Sequence, residues 1–219
     1  MSDIFKEVDE EVRRDKAVEV WAKYQNLILG VALLIVLATA AWRGWTYWQT
    51  QQAQEAGARY EAALELDRAG KGAEAEQAFS DIAGKGPAGY AQLAKLRGAA
   101  AVAKSKPEEA VKLYDQLAGD ATLDPLFRDL AKLRAATLRL DAADAAEAAR
   151  RLEPLAESGQ PFRSTARELI GAKALALGDY ERAAKYLDMI VVDSAAPPSL
   201  RQRAELLLGL VRAGKPSSG

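Results

Sequence analysis

The stretch AKLRGAA, Ala94 to Ala100, returns as AKLRAAT, Ala131 to Thr137, 37 residues further along the chain. A period of this length marks stacked supersecondary units, not one irregular core. A column of alanines extends it: Ala75, Ala110, Ala148 and Ala183 stand 35, 38 and 35 residues apart. Each is followed four and seven residues later by large apolar side chains, Phe79 with Ile82, Tyr114 with Leu117, Leu152 with Leu155 and Leu187 with Ile190. Twelve residues before each alanine stands a second small residue, Ala63, Gly98, Ala136 and Gly171, and Gly209 continues that series. Small residues let two antiparallel helices approach closely while the large ones fill the space against the next pair. Each unit therefore reads as a helical hairpin that buries its face only by stacking.

Punctuation falls in the same register. Pro87, Pro125, Pro161 and the pair Pro197-Pro198 lie where one hairpin must end before the next begins, because proline cannot continue a helix. The inner turns carry Gly70 with Gly72, Ser105 with Pro107, Asp141, and Gly178 with Asp179. From about Glu55 onward the chain is rich in Ala, Leu, Glu, Arg and Lys, and its long β-like run, Ile190-Val191-Val192, ends a helical pattern. The expected class is all-α, with about four hairpins and a capping helix, Ser199 to Ala213, filling residues 56–213, and a disordered tail over 214–219.

Ahead of the repeats lies WAKYQNLILGVALLIVLATAAWRGWTYW, Trp21 to Trp48. Nineteen uncharged residues, Tyr24 to Trp42, separate Lys23 from Arg43; as a helix they reach ~28 Å, close to the ~30 Å hydrocarbon thickness of a bilayer. Nine Leu, Ile and Val residues between Leu27 and Leu37 contribute roughly −3 to −5 kcal/mol on an insertion scale. Trp21 and Tyr24 stand at one end and Trp42, Trp45, Tyr47 and Trp48 at the other, where amphipathic rings prefer the headgroup level. Residues 24–48 are expected to form a transmembrane helix with an aromatic exit, in contact with lipid from Tyr24 to Trp42, and 49–55 a linker or helical extension. The triplet Ala38-Thr39-Ala40 leaves signal-peptide cleavage open, although seven acidic residues before the run are unlike the basic start of a signal peptide.

Arg13, Arg14, Lys16 and Lys23 precede the span, against Arg43 and Arg59 after it. This bias places residues 1–23 in the cytoplasm and the repeats on the other side, the periplasm of a bacterium. Within that charged segment Ile4, Phe5, Val8 and Val12 recur at helical spacing, a narrow amphipathic stripe.

Composition excludes several chemistries. The chain of 219 residues has no Cys and no His, hence no zinc site of the usual kind and no Cys-His dyad or Ser-His-Asp triad. A net charge of −1, with Lys and Arg scattered, argues against nucleic acid as a partner. GKGPAG, Gly84 to Gly89, matches the dinucleotide pattern G-x-G-x-x-G but contains Pro87 and has no strand before it. Asp141, Asp144 and Glu147, with Arg150 and Arg151 behind them, read as a first helical turn and its dipole partners. Glu108 and Glu109 read likewise after Pro107. No catalytic residue, cofactor or metal is expected, and the chain reads as a non-enzyme.

Leu177-Gly178-Asp179-Tyr180-Glu181-Arg182-Ala183 resembles the turn and second-helix opening of a tetratricopeptide repeat. Taken together with the single span and the exit Trp42-Arg43-Gly44-Trp45-Thr46-Tyr47-Trp48, the chain is similar to the bacterial YfgM family over nearly its full length. That resemblance implies an ancillary subunit of the SecYEG translocon, in the inner membrane beside a membrane-anchored periplasmic prolyl isomerase-like chaperone, assisting proteins that emerge into the periplasm. The residues leave three other roles open: a cleaved periplasmic repeat protein of envelope assembly or cell division, an enzyme accessory or weak enzyme using only carboxylates, which would need a deep pocket of paired acids, and a cytosol-facing scaffold. In such solenoids the first helix of each hairpin usually lines the concave surface, and projection of the small-residue column puts Tyr60, Leu64, Lys95, Leu133, Thr137 and Glu168 toward that partner groove.

Overall fold

The computed structural model describes residues 3–141 and 145–214, and every element there is an α-helix. In chain order these are α1 Asp3–Arg68, α2 Gly72–Lys85, α3 Ala88–Ala103, α4 Pro107–Gly119, α5 Pro125–Asp141, α6 Ala145–Ala156, α7 Arg163–Ala176, α8 Tyr180–Val191 and α9 Pro198–Gly214. The chain divides into two compact units between Gln54 and Glu55. Asp144 and the tail 215–219 lie outside the described residues, as do the side chains of Asp141 and of the stripe Ile4, Phe5, Val8 and Val12.

In the first unit, α1 contains an 18-residue window of mean hydropathy 2.0, none of it buried. It is the one described helix long and apolar enough to cross a membrane. Three threonine hydroxyls pair within the helix: Thr39 Oγ1 donates to the Ile35 carbonyl at 2.7 Å, Thr46 Oγ1 to the Arg43 carbonyl at 3.0 Å, and Thr50 Oγ1 to the Thr46 carbonyl at 2.8 Å. Residues 49–55 continue the same helix without a break.

The second unit is a nearest-neighbour stack. Each helix from α2 to α9 packs on the next, and α3 also meets α5, α5 meets α7 and α7 meets α9, the arrangement of a solenoid built from hairpins. Both small-residue columns lie in its core: Ala75, Ala110, Ala148 and Ala183 of the first and Ala63 and Ala136 of the second are all 0% exposed. Around them Phe79, Leu152, Leu187 and Ile190 are fully enclosed, each contributing about 1.5–3 kcal/mol of transfer free energy. Gly171 of α7 lies against Leu187 of α8, within its own hairpin, whereas Gly98 of α3 faces Phe79 of α2, across the joint between hairpins. Small residues therefore serve both kinds of contact.

The turn signals act as their chemistry requires. Gly70 and Gly178 take φ of +77° and +76°, which other residues adopt only with strain. Asp179 caps α8 by accepting from the Arg182 amide at 3.0 Å. Pro107 and Pro125 open α4 and α5, where the missing N–H costs nothing. Pro154 breaks the pattern, since it lies inside α6 and removes the bond to the Arg150 carbonyl.

Candidate functional site

Three successive first helices line one groove of about 430 Å³. Its walls are Tyr60 from α1, Leu93 and Arg97 from α3, and Phe127, Arg134 and Thr137 from α5, with Tyr114 of α4 at the floor. Tyr60 is fixed by aromatic packing, its ring 5.6 Å from Phe79 at 64° and 5.9 Å from Tyr90. Arg97 and Arg134 close the two copies of AKLR and are both exposed. Tyr114 is only 3% exposed. Burial pushes its hydroxyl pKa up, and the charges of Arg134 and Arg97 draw it partway back.

Of the six residues projected toward a partner groove, Tyr60 and Thr137 line this one, and the Thr137 hydroxyl is spent on the Leu133 carbonyl at 2.8 Å. Leu64 packs against the first hydrophobic core beside Phe79. Lys95 points to the other side of α3, where its Nζ pairs with Asp120 at 2.9 Å and its stem borders a second hollow with Glu76 and Leu113. Leu133 is buried in the core that also holds Leu152 and Ile170. Glu168 is engaged by both Arg203 nitrogens, at 2.6 and 2.9 Å. The six aromatic residues Trp21, Tyr24, Trp42, Trp45, Tyr47 and Trp48 are all exposed on α1, Trp45 and Trp48 with centroids 5.5 Å apart.

Projection missed Arg97, Arg134, Phe127 and the floor residue Tyr114. The signal was present in the AKLR echo, which puts an arginine at one repeat position twice, but periodicity alone does not say which face that position occupies.

A second polar cluster ties the last hairpins together. Arg163 grips Asp193 with Nε to Oδ2 at 2.7 Å and Nη2 to Oδ1 at 3.1 Å. Arg167, buried, donates to the carbonyls of Ala156 at 2.8 Å and Met189 at 3.2 Å and reaches Asp193 at 3.3 Å. The Asp193 carboxyl is held down to about 2, chiefly by Arg163, with the Ala195 amide and the Arg167 charge adding to it. Its donors are committed to closing the ends of α6 and α8, so the cluster is a brace. Among the described residues no group of three or more acidic side chains could hold a metal ion.

A stack of helical hairpins with a groove across its first helices defines a repeat module of the kind that makes protein contacts. The profile of the family described as tetratricopeptide repeat-like domain matches residues 19–194, and the chain belongs to that family. The match takes in the apolar run as well as the hairpins. Such repeats generally mediate protein interactions without catalysis, and no enzymatic family is indicated. No curated protein and no solved structure matches the chain.

Proposed function

We propose that the chain is a non-enzymatic, single-pass membrane adaptor whose repeat domain holds protein partners at the Sec translocon, beside a membrane-anchored periplasmic chaperone. The observation that carries the anchored-adaptor reading is covalent: an unburied apolar helix of bilayer length runs on into a family domain that makes protein contacts. The bias of Arg13, Arg14, Lys16 and Lys23 over Arg43 and Arg59 sets residues 1–23 in the cytoplasm and 56–213 in the periplasm. Resemblance to the YfgM family supplies the translocon, the chaperone and the bacterial inner membrane.

The test is a gentle-detergent pull-down of the full-length chain, with partners identified by mass spectrometry and the intact bait mass recorded. Translocon subunits and a periplasmic chaperone on an uncleaved bait support the adaptor. A bait beginning at Ala41 with no translocon leaves the repeat fold standing and removes the function.

A further inference from the structure

We propose that the groove between α1, α3 and α5 binds an acidic, apolar-flanked segment of a partner polypeptide. Its carboxylate side chains meet Arg97 and Arg134, and its neighbouring apolar side chains meet Tyr60, Leu93 and Phe127. This rests on the reading that the repeats act through protein contacts and specifies the chemistry of one contact.

Three observations converge on it. Elsewhere in the repeat unit Lys95, Arg139, Arg151, Arg163, Arg182 and Arg203 each have a carboxylate oxygen within 2.9, 2.9, 2.7, 2.7, 2.8 and 2.6 Å. Arg97 and Arg134, like Arg128 and Lys112, have no such partner among the described residues, and these two border the same groove. They stand at one repeat position on adjacent first helices and both act electrostatically on Tyr114, and a guanidinium fork takes a carboxylate bidentately.

Between them the Tyr114 ring is enclosed to 3% exposure, yet its hydroxyl has no hydrogen-bond partner among the described residues and faces the groove. The phenol oxygen still reaches solvent through the groove, so it is a donor served by water until a protein acceptor enters. A carboxylate bridging the arginines supplies one. The walls, finally, are aromatic and aliphatic: Leu93 is exposed, Tyr60 and Phe127 half-buried. A small inorganic anion leaves those walls wet, and a nucleic acid needs more cations than two; an acidic segment with apolar flanks uses walls, forks and floor together.

The probe is a fluorescent, C-terminally amidated peptide alternating glutamate and leucine, titrated by anisotropy against the full-length chain in detergent micelles. The matching glutamine-leucine peptide is the control. The glutamate peptide binds, the glutamine peptide binds at least about tenfold more weakly, and the double variant Arg97→Gln with Arg134→Gln loses affinity by a similar factor. Both arginines are exposed and unpaired, so the variant keeps its thermal melt. Charge reversal at both positions transfers binding to a lysine-leucine peptide. Equal binding of both peptides, or unchanged affinity in the double variant, overturns the proposal. So does binding that needs a free C-terminus, which assigns the groove to an α-carboxylate.

In the pull-down, a double variant that recovers the partners undiminished removes the groove and leaves the adaptor. A wild-type chain that recovers none, yet binds the glutamate peptide, removes the adaptor and leaves the groove.

Discussion

A methyl group on Gly171 would lie 2.8 Å from Leu187 Cγ and 3.5 Å from the Ala183 carbonyl. The missing side chain therefore makes the room that the Leu187 side chain occupies between the two helices of the fourth hairpin. Gly171→Ala should destabilise the repeat unit by about 1–3 kcal/mol through overpacking. Gly209, at the next position of the same column, has nothing within 4 Å of its built Cβ. There Gly209→Ala should stabilise α9 by about 0.5–1 kcal/mol. Thermal melts of the two variants should move in opposite directions; a common direction would mean that the close approach at Leu187 is not a constraint.

Phe79 is enclosed by Ala63, Ala75 and Ala94 and touches Tyr60 edge-on. Phe79→Ala should cost about 3–5 kcal/mol. Because contacts in a repeat array are between neighbours, amide exchange should accelerate in α2 and α3 well before α8. Uniform acceleration would show a single cooperative core instead.

The Asp193 brace predicts a particular acid limb. Asp193 titrates at about 2 when folded, below the ~3.9 of an unfolded aspartate. Its stabilising contribution is present above about pH 4 and is lost as pH falls toward 2. Asp120, held at about 2 mainly by the Thr122 hydroxyl, then Lys95 and the Thr122 amide, acts in the same window. Asp193→Asn should lower the melting temperature at pH 7 and flatten its dependence between pH 4 and 2. A variant as pH-dependent as the wild type would move the acid sensitivity elsewhere.

In the apolar helix, Leu34 is one of the exposed leucines. Leu34→Arg adds about 2.5–3.5 kcal/mol to the insertion free energy, comparable with the whole favourable sum of the run. Alkaline extraction should release a substantial part of the variant while the wild type stays in the membrane pellet. Equal retention would mean that insertion does not hold the protein there.

The repeat is legible in the amino-acid sequence because its positions are fixed by volume: an alanine at 75, 110, 148 and 183 and a large apolar residue four further on are requirements of packing, visible one residue at a time. Joints are equally plain, since Pro107, Gly178 and Asp179 announce backbone needs locally. The groove is not. Lys95 and Glu168 fit a polar inner face in projection, but each has a partner, Asp120 and Arg203, 25 and 35 residues away. Arg163, Arg167 and Asp193 form a brace for the same reason. Whether a surface charge is free or spent depends on side chains from other hairpins, and no local pattern carries that information. Arg97 and Arg134 stand out because they lack a carboxylate partner and also line one groove.

The proposed topology, an anchored solenoid facing the periplasm, is tested most directly by protease accessibility in spheroplasts, with an epitope on each terminus and alkaline extraction alongside. The expected result is a membrane-retained chain whose C-terminal epitope is removed by external protease while the N-terminal epitope survives until the membrane is lysed. A C-terminal epitope protected in intact spheroplasts, or a chain extracted whole into the alkaline supernatant, would contradict it.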